Sequence, residues 1–286
     1  MKAVRDTMGA MPEDLTWTDA GVAELIPDPA SSTCWTLLVD DWAQSFVDTA
    51  DARHLRWDYA RRLAAVIDSM AEPGAPISAL HLGGGALALP RYVATTRPGS
   101  TQLVVDRDAA LVALVRRVLP LPEDAGIDVL VADARDALTA RPAGYDLVLT
   151  DVFNRRQQVP ARFTSVEFAT EVARTLHPGG RYALNIADSP SLEFTRGQAA
   201  TLRTVFADVC LLADPGMLRG GRFGNVVLAA AHTPLRVPLL MDAMAGDPRP
   251  AQVLHGADLD RFIADAPVVT DETATNSPAP PPPYGN

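Results

Sequence analysis

Cysteine is nearly absent: Cys34 and Cys210 are the two thiols among 286 residues. Two isolated cysteines build neither a disulfide framework nor the paired spacing of a metal site, so no metal is expected. Both stand in apolar runs and read as buried thiols of a protein kept in a reducing compartment. Long apolar runs are missing as well, since no stretch approaches the roughly 20 residues that cross a bilayer. Residues 1–16 carry acids and no hydrophobic segment, so no secretory signal is expected there. Positive charge is the scarcer sign, with 25 Lys and Arg against 35 Asp and Glu, a net charge of −10. That balance disfavours bulk nucleic-acid binding and favours a cationic partner, though acidity that simply serves solubility explains it equally well. No internal repeat is visible. These absences predict a cytoplasmic globular chain with neither membrane nor nucleic acid as partner.

What is present centres on residues 77–108. Ile77, Ala79, Leu80 and Leu82 make a short apolar run suited to a strand buried on both faces. Gly83-Gly84-Gly85 breaks it, and Gly83, Gly85 and Ala88 form a G-x-G-x-x-A pattern. In such a pattern the glycines permit a tight turn and a close backbone approach to a ligand. A helix is predicted over 87–96, with Pro90 in its first turn, where a missing N–H costs little. A second strand over 101–105 runs into Asp106, which comes 21 positions after Gly85. That is the distance at which a nucleotide-binding βαβ unit places the acid that holds ribose hydroxyls.

The rest of the chain hangs on this unit. Residues 1–16 read as a flexible N-terminus. Residues 17–50 read as a small β cap, with short strands at 24–27, 35–39 and 43–48, too small to fold alone. Helical periodicity marks 55–70. Further strands are predicted at 127–131, 145–150, 182–186, 209–212 and 223–231, alternating with helices up to the sixth of the sheet. The glycine-rich link 216–224 is too short for a crossover, so the last strand should run reversed. The expected fold is therefore α/β: a Rossmann-like, seven-stranded, mostly parallel sheet with one reversed edge strand, occupying 51–235. Residues 236–265 form a C-terminal extension whose 251–264 reads as a short helix. Residues 266–286 are Pro-rich and are expected to be disordered.

Asp106, Asp133 and Asp151 each follow a predicted strand. Ligands of open α/β sheets lie beyond the carboxyl ends of the strands, so three carboxylates should converge on one crevice. An acid in such a place is otherwise a helix cap or turn residue. As ligand residues, Asp106 would accept from ribose hydroxyls, and Asp133 from the exocyclic amine of adenine beside the Ala134 backbone. Asp151 would lie nearest the reacting end, where a carboxylate can hold a cationic amine and take its proton.

In order along residues 24–231, these landmarks resemble the spermidine synthase (polyamine aminopropyltransferase) family, which has a methyltransferase-type Rossmann fold. Gln44 and the segment 54–62 stand where the family has a Gln followed by D-E-x-x-Y-H-E. Gly83-Gly84-Gly85 matches its G-G-G-D-G, Asp106-Arg107-Asp108 its E-[IL]-D, and Asp133-Ala134 its D-A. Tyr145-Asp146 through Asp151 matches Y-D-x-I-x-x-D. Phe163-Thr164 through Phe168 and Leu176 through Gly180 match L-F-T-x-x-F and L-x-P-G-G. The resemblance implies decarboxylated S-adenosylmethionine as co-substrate, held by Gly83, Gly84, Gly85, Asp106, Arg107, Asp133 and Ala134. It implies Asp151 as catalytic base, and Gln44, Trp57 and Asn154 beside a small amine acceptor. A homodimer is compatible with it.

Three of the motifs depart from the family's pattern. The acid of G-G-G-D-G is Ala86, the second acid of the family's D-S-x-D-P is Asn154, followed by Arg155 and Arg156, and Y-H-E is Trp57-Asp58-Tyr59. A dication needs fixed negative charge around it, and adjacent arginines repel it. Alternatives on the same scaffold are an S-adenosylmethionine-dependent methyltransferase, a nicotinamide dehydrogenase, and a non-catalytic nucleoside binder.

Overall fold

The computed structural model describes residues 14–281. Four antiparallel strands form the N-terminal sheet: β1 (Leu15–Thr18), β2 (Gly21–Asp28), β3 (Ser31–Val39) and β4 (Trp42–Asp48). The cap thus has one strand more than expected and starts inside the stretch read as loose. Residues 1–13 of that stretch lie outside the described residues. The cap's inner positions Leu25, Leu37 and Val47 pack on Leu87, Leu111 and Leu114.

The main sheet follows helix α1 (Asp58–Met70). Its first half alternates β5 (Ser78–Leu82), α2 (Ala88–Thr96), β6 (Thr101–Asp106), α3 (Ala109–Val118), β7 (Ile127–Val131), α4 (Ala134–Thr139) and β8 (Tyr145–Thr150). Its second half comprises α5 (Val166–Thr175), β9 (Leu176–Asp188), α6 (Glu193–Val205), β10 (Asp208–Ala213), α7 (Pro215–Leu218) and β11 (Gly224–Ala231). Then come α8 (Val237–Ala245), β12 (Gln252–His255) and α9 (Ala257–Ile263). The strand order is β12-β10-β11-β9-β8-β5-β6-β7. Pairings from β7 across to β9 are parallel, and those of β9 with β11, β11 with β10, and β10 with β12 are antiparallel.

The mostly parallel α/β sheet and the β cap are as read, with two corrections. The reversed strand is not at the edge: β11 inserts between β9 and β10, pairing Gly224–Ala231 with residues of β9 on one side and β10 on the other. Its Val226–Ala231 run is fully buried, and such a run needs cover on both faces and both edges. The sheet also has eight strands, because 252–255, read as the start of a helix, extends along the open edge of β10. That edge offers unpaired backbone groups, and the strand buries Val253 and Leu254 in taking it.

Alternating strand positions feed two cores. Leu80, Leu82, Val148 and Leu184 face α4, α5 and α6. Ala79, Leu147, Leu149 and Val227 face α1, α2 and α8. Cys34 and Cys210 are both free and buried.

The tail departs most from expectation. Residues 266–281 pack first along α5 and α6 and then on the loop after β8, rather than being disordered. Val166 N–H donates to the Val269 carbonyl at 2.8 Å. Arg135 grips Asp271 with two hydrogen bonds of 2.9 Å. Ser277 is fully buried. The segment needs no apolar face to dock, because its polar groups find partners one by one. Residues 282–286 lie outside the described residues.

Candidate active site

The carboxyl ends of β5, β6 and β8, the first residues of α4, the cap strand β4 and the start of α1 enclose a cavity of about 540 Å³. Every site residue singled out from the sequence lines it. The floor is the β5–α2 turn. Gly83 and Gly85 take left-handed φ angles of 95° and 50°. A Cβ at Gly83 would lie 2.3 Å from the Asp151 carbonyl oxygen, so side chains are excluded and the backbone stays open to a ligand.

Asp106 orders this turn. Its Oδ2 accepts from Gly84 N–H at 2.9 Å and its Oδ1 from Asp108 N–H at 3.0 Å. Burial pushes its carboxyl up, against those hydrogen bonds. A carboxylate offers about four lone-pair sites, so capacity remains for two hydroxyls. Arg107 next to it is exposed at the rim. Asp108 is the N-cap of α3, accepting from Leu111 N–H at 2.9 Å.

Asp133 combines a cap with a wall of the cavity. Its Oδ1 accepts from Arg135 and Asp136 N–H at 3.0 and 3.3 Å, and its Oδ2 from Arg162 at 2.9 Å. Ala134, the first residue of α4, is buried beside it.

Asp151 stands one residue past β8, opposite Gly83. Its Oδ1 accepts from Asn185 Nδ2 at 2.9 Å, and Asn185 Oδ1 accepts from Asn225 Nδ2 at 3.1 Å. The Asn225 carbonyl in turn takes a 3.0 Å bond from Arg62, which is paired with Asp58. Burial raises the Asp151 carboxyl to about 6. A base that titrates near there is ionised at neutral pH yet still competes for a proton. Asn185 and Asn225 were missed by sequence reasoning. A signal existed for Asn185, an amide in the otherwise apolar run of β9, where a buried polar group must have a partner.

At the other side of the cavity, Gln44 Nε2 donates to Gln157 Oε1 at 2.8 Å, and the Gln44 carbonyl accepts from the Tyr59 hydroxyl at 3.3 Å. Trp57 precedes α1, and its buried indole N–H has no partner among the described residues. Asn154 reaches the cavity, but its Oδ1 is occupied by Arg156 and Gln158 N–H at 2.8 and 3.2 Å, which shape the 154–158 turn. Arg155 is exposed, 3.7 Å from Asp40. Ala86, by contrast, is buried in the core under the cap.

The tail closes the far side of that turn. Ser277 accepts from Val159 N–H through its hydroxyl at 2.9 Å, and its own N–H donates to the Val159 carbonyl at 3.0 Å. The Ser277 carbonyl accepts from Gln158 Nε2 at 2.6 Å. Pro280, a few residues on, lines the cavity.

No family model matches the chain. A polyamine aminopropyltransferase of Synechococcus sp. strain JA-2-3B'a(2-13) is 30% identical over 173 residues, 58% of this chain and 55% of that protein. The chain spans little more than half the length of the curated relatives it matches. The crystal structure of a probable spermidine synthase from Corynebacterium glutamicum superposes with a TM-score of 0.84 at 28% identity, over 91% of this chain and 97% of that one. Human methyltransferase-like protein 13, solved in complex with SAH, superposes with a TM-score of 0.54 at 21% identity, over 72% and 92%. That likeness is one of fold.

Proposed function

We propose, from the premise that the chain is a spermidine synthase-like protein with a methyltransferase-type Rossmann fold, that it transfers an aminopropyl group from decarboxylated S-adenosylmethionine to a small amine. The observation that carries this reading is Asp151: a carboxylate at a strand end, beside the glycine turn, raised to about 6 and steadied by an asparagine pair. The cavity's size suits a nucleoside and a small second substrate, being within the few-hundred-Å³ range of small-molecule sites. The reading carries with it a cytoplasmic location.

When bound, the sulfonium supplies a carbon primed for displacement, with a neutral thioether as leaving group. The chain's own residues bind and move a proton. Gly83, Gly84 and Gly85 let the backbone approach the donor. Asp106 accepts from the ribose hydroxyls, with Arg107 at the rim. Asp133, held by Arg162 and the first turn of α4, takes the adenine amine on its remaining lone pairs beside Ala134. Gln44, Trp57 and Asn154 flank the acceptor. Asp151 accepts the proton that the acceptor's ammonium must lose before or as its nitrogen attacks. Positioning two reactants in one cavity supplies much of the remaining rate.

The direct test is to incubate the protein with the decarboxylated donor and a panel of small amines and to follow methylthioadenosine. Asp151→Asn keeps the shape and removes the charge, and should lower turnover about a hundredfold or more with donor affinity little changed. Asp106→Ala should weaken donor binding by about 1–3 kcal/mol in calorimetry. Unaltered affinity in that variant would move the donor site elsewhere. Release of the homocysteine-bearing thioether from S-adenosylmethionine, with no methylthioadenosine from its decarboxylated form, would favour methyl transfer instead.

A further inference from the structure

Negative charge is scarce at the end of the cavity where Asp151 lies. Of the other carboxylates lining the cavity, Asp106 is bound to the glycine turn, Asp133 is paired with Arg162, and Asp108 caps α3 while also taking Ala20 N–H, next to Asp19. All four belong to the β6, β7 and β1–β2 side. Asp151 instead meets an amide and the half-buried Tyr59. Asn185 holds it, Asn225 stands behind, and the Gln44–Gln157 pair spans from the cap to the 154–158 turn. Gln157 is set there by a left-handed φ of 58° in a turn that Asn154 closes and Ser277 clamps. The charged side chain which that turn adds to the cavity wall is a cation, Arg155, which stands exposed at its rim 3.7 Å from Asp40. A second ammonium on the acceptor would leave water for a wall that, among the described residues, has no carboxylate beyond Asp151 to receive it.

A second observation concerns what that wall offers instead. Gln44 and Gln157 both line the cavity and are held to each other at 2.8 Å. An amide carries both a donor and an acceptor, so it can serve a hydroxyl in either role, whereas an ammonium only donates and can use the amide's carbonyl oxygen alone.

We propose that the acceptor carries one positive charge, on the reacting amine, and an uncharged hydrogen-bonding group at its far end, an amino alcohol being the simplest case. The proposal rests on the aminopropyl-transfer reading. The ammonium yields one proton to Asp151, and the freed nitrogen lone pair forms the new N–C bond. The S–C bond breaks with its electron pair going to sulfur, and the products are a secondary ammonium, neutral methylthioadenosine and the proton that Asp151 releases to solvent.

The test compares putrescine with the amino alcohol in which a hydroxyl replaces one of its amines, reading kcat/KM from methylthioadenosine release by the full chain. The amino alcohol should lead by about tenfold or more, the scale of one uncompensated charge at a half-buried site. Gln157→Glu should swing the ratio toward putrescine by about as much. A wild-type preference for putrescine would overturn the proposal and leave aminopropyl transfer standing. Release with neither acceptor, when calorimetry shows the decarboxylated donor bound, would sink both.

Discussion

Asp151 carries a measurable conflict between stability and chemistry. Its carboxyl is raised from an ordinary 3.8 to about 6 by burial, with the Asn185 hydrogen bond pulling the other way. The folded protein therefore holds this proton more tightly than the unfolded chain does. The stability that the neutral form contributes is complete below the unfolded value, near 3.8, and is lost as pH rises through about 6. Above that, ionised Asp151 costs stability. Because the side chain is partly open to the cavity, the cost should be about 1–2 kcal/mol rather than the full linkage value. Asp151→Asn should thus melt higher than wild type near pH 8, with the gap closing towards about pH 4. A gap independent of pH would show that the carboxylate is well solvated. The same group predicts an acid limb in the wild-type rate profile with a midpoint of about 6. At this scale the sequence was a partial guide. Asp106, Asp133 and Asp151 look alike as acids after strands, yet one orders a glycine turn, one caps a helix against an arginine, and one faces an amide network. What separates them is the partner each meets, and Arg162, Asn185 and Asn225 reach theirs from 29 to 40 positions away along the chain.

Among the elements, the strands with strong apolar patterns were legible and the tail was not. Periodicity registers faces that bury hydrocarbon. The tail docks through scattered polar contacts instead, and proline leaves it few N–H groups to satisfy. Val269 N–H finds Thr201 Oγ1 at 2.9 Å, Asn276 Oδ1 takes Ala161 N–H at 2.9 Å, and Ser277 makes three bonds to the loop after β8. Its composition alone argues that residues 273–286 can be removed without effect; these contacts argue the reverse. Ser277→Val should cost about 1–3 kcal/mol in urea unfolding, because it leaves the buried Val159 N–H without an acceptor. Deleting 273–286 should lower the melting temperature and, by freeing the loop that carries Asn154 and Gln157, raise KM for the acceptor more than it changes donor affinity. An unchanged melting temperature would mean that the contacts contribute nothing net. The placement of β11 was illegible for a different reason. A short glycine-rich link requires reversal but does not say which free edge the returning strand takes, and β9 offered the longer buried one.

Seen whole, the cavity belongs to neither sheet. The cap supplies Gln44, Ser45 and Phe46, and the main sheet supplies the glycine turn and the strand-end acids. The cap's core continues into Leu87, which follows the glycine turn, and into Leu111 and Leu114 of α3. Ala20 N–H bonds to Asp108, the cap of that same helix, at 3.2 Å. Four short strands are too few to stand alone, so the cap should share the cooperative unfolding of the sheet it leans on. Ligand linkage makes this testable. A nucleoside thioether bound only by the folded state stabilises the fold by RT ln(1 + [L]/Kd), about 2.7 kcal/mol at a hundredfold excess over Kd. Amides that exchange only by global opening then slow by the same factor, about a hundredfold. If cap and sheet open together, saturating methylthioadenosine should slow exchange of paired amides in β3 to the degree seen in β5 and β8. If β3 exchanged at its original rate while β5 slowed, the cap would open alone, and Gln44 would line the cavity only while it is closed. The shared core makes the first outcome the expected one, with the site assembled before either substrate arrives.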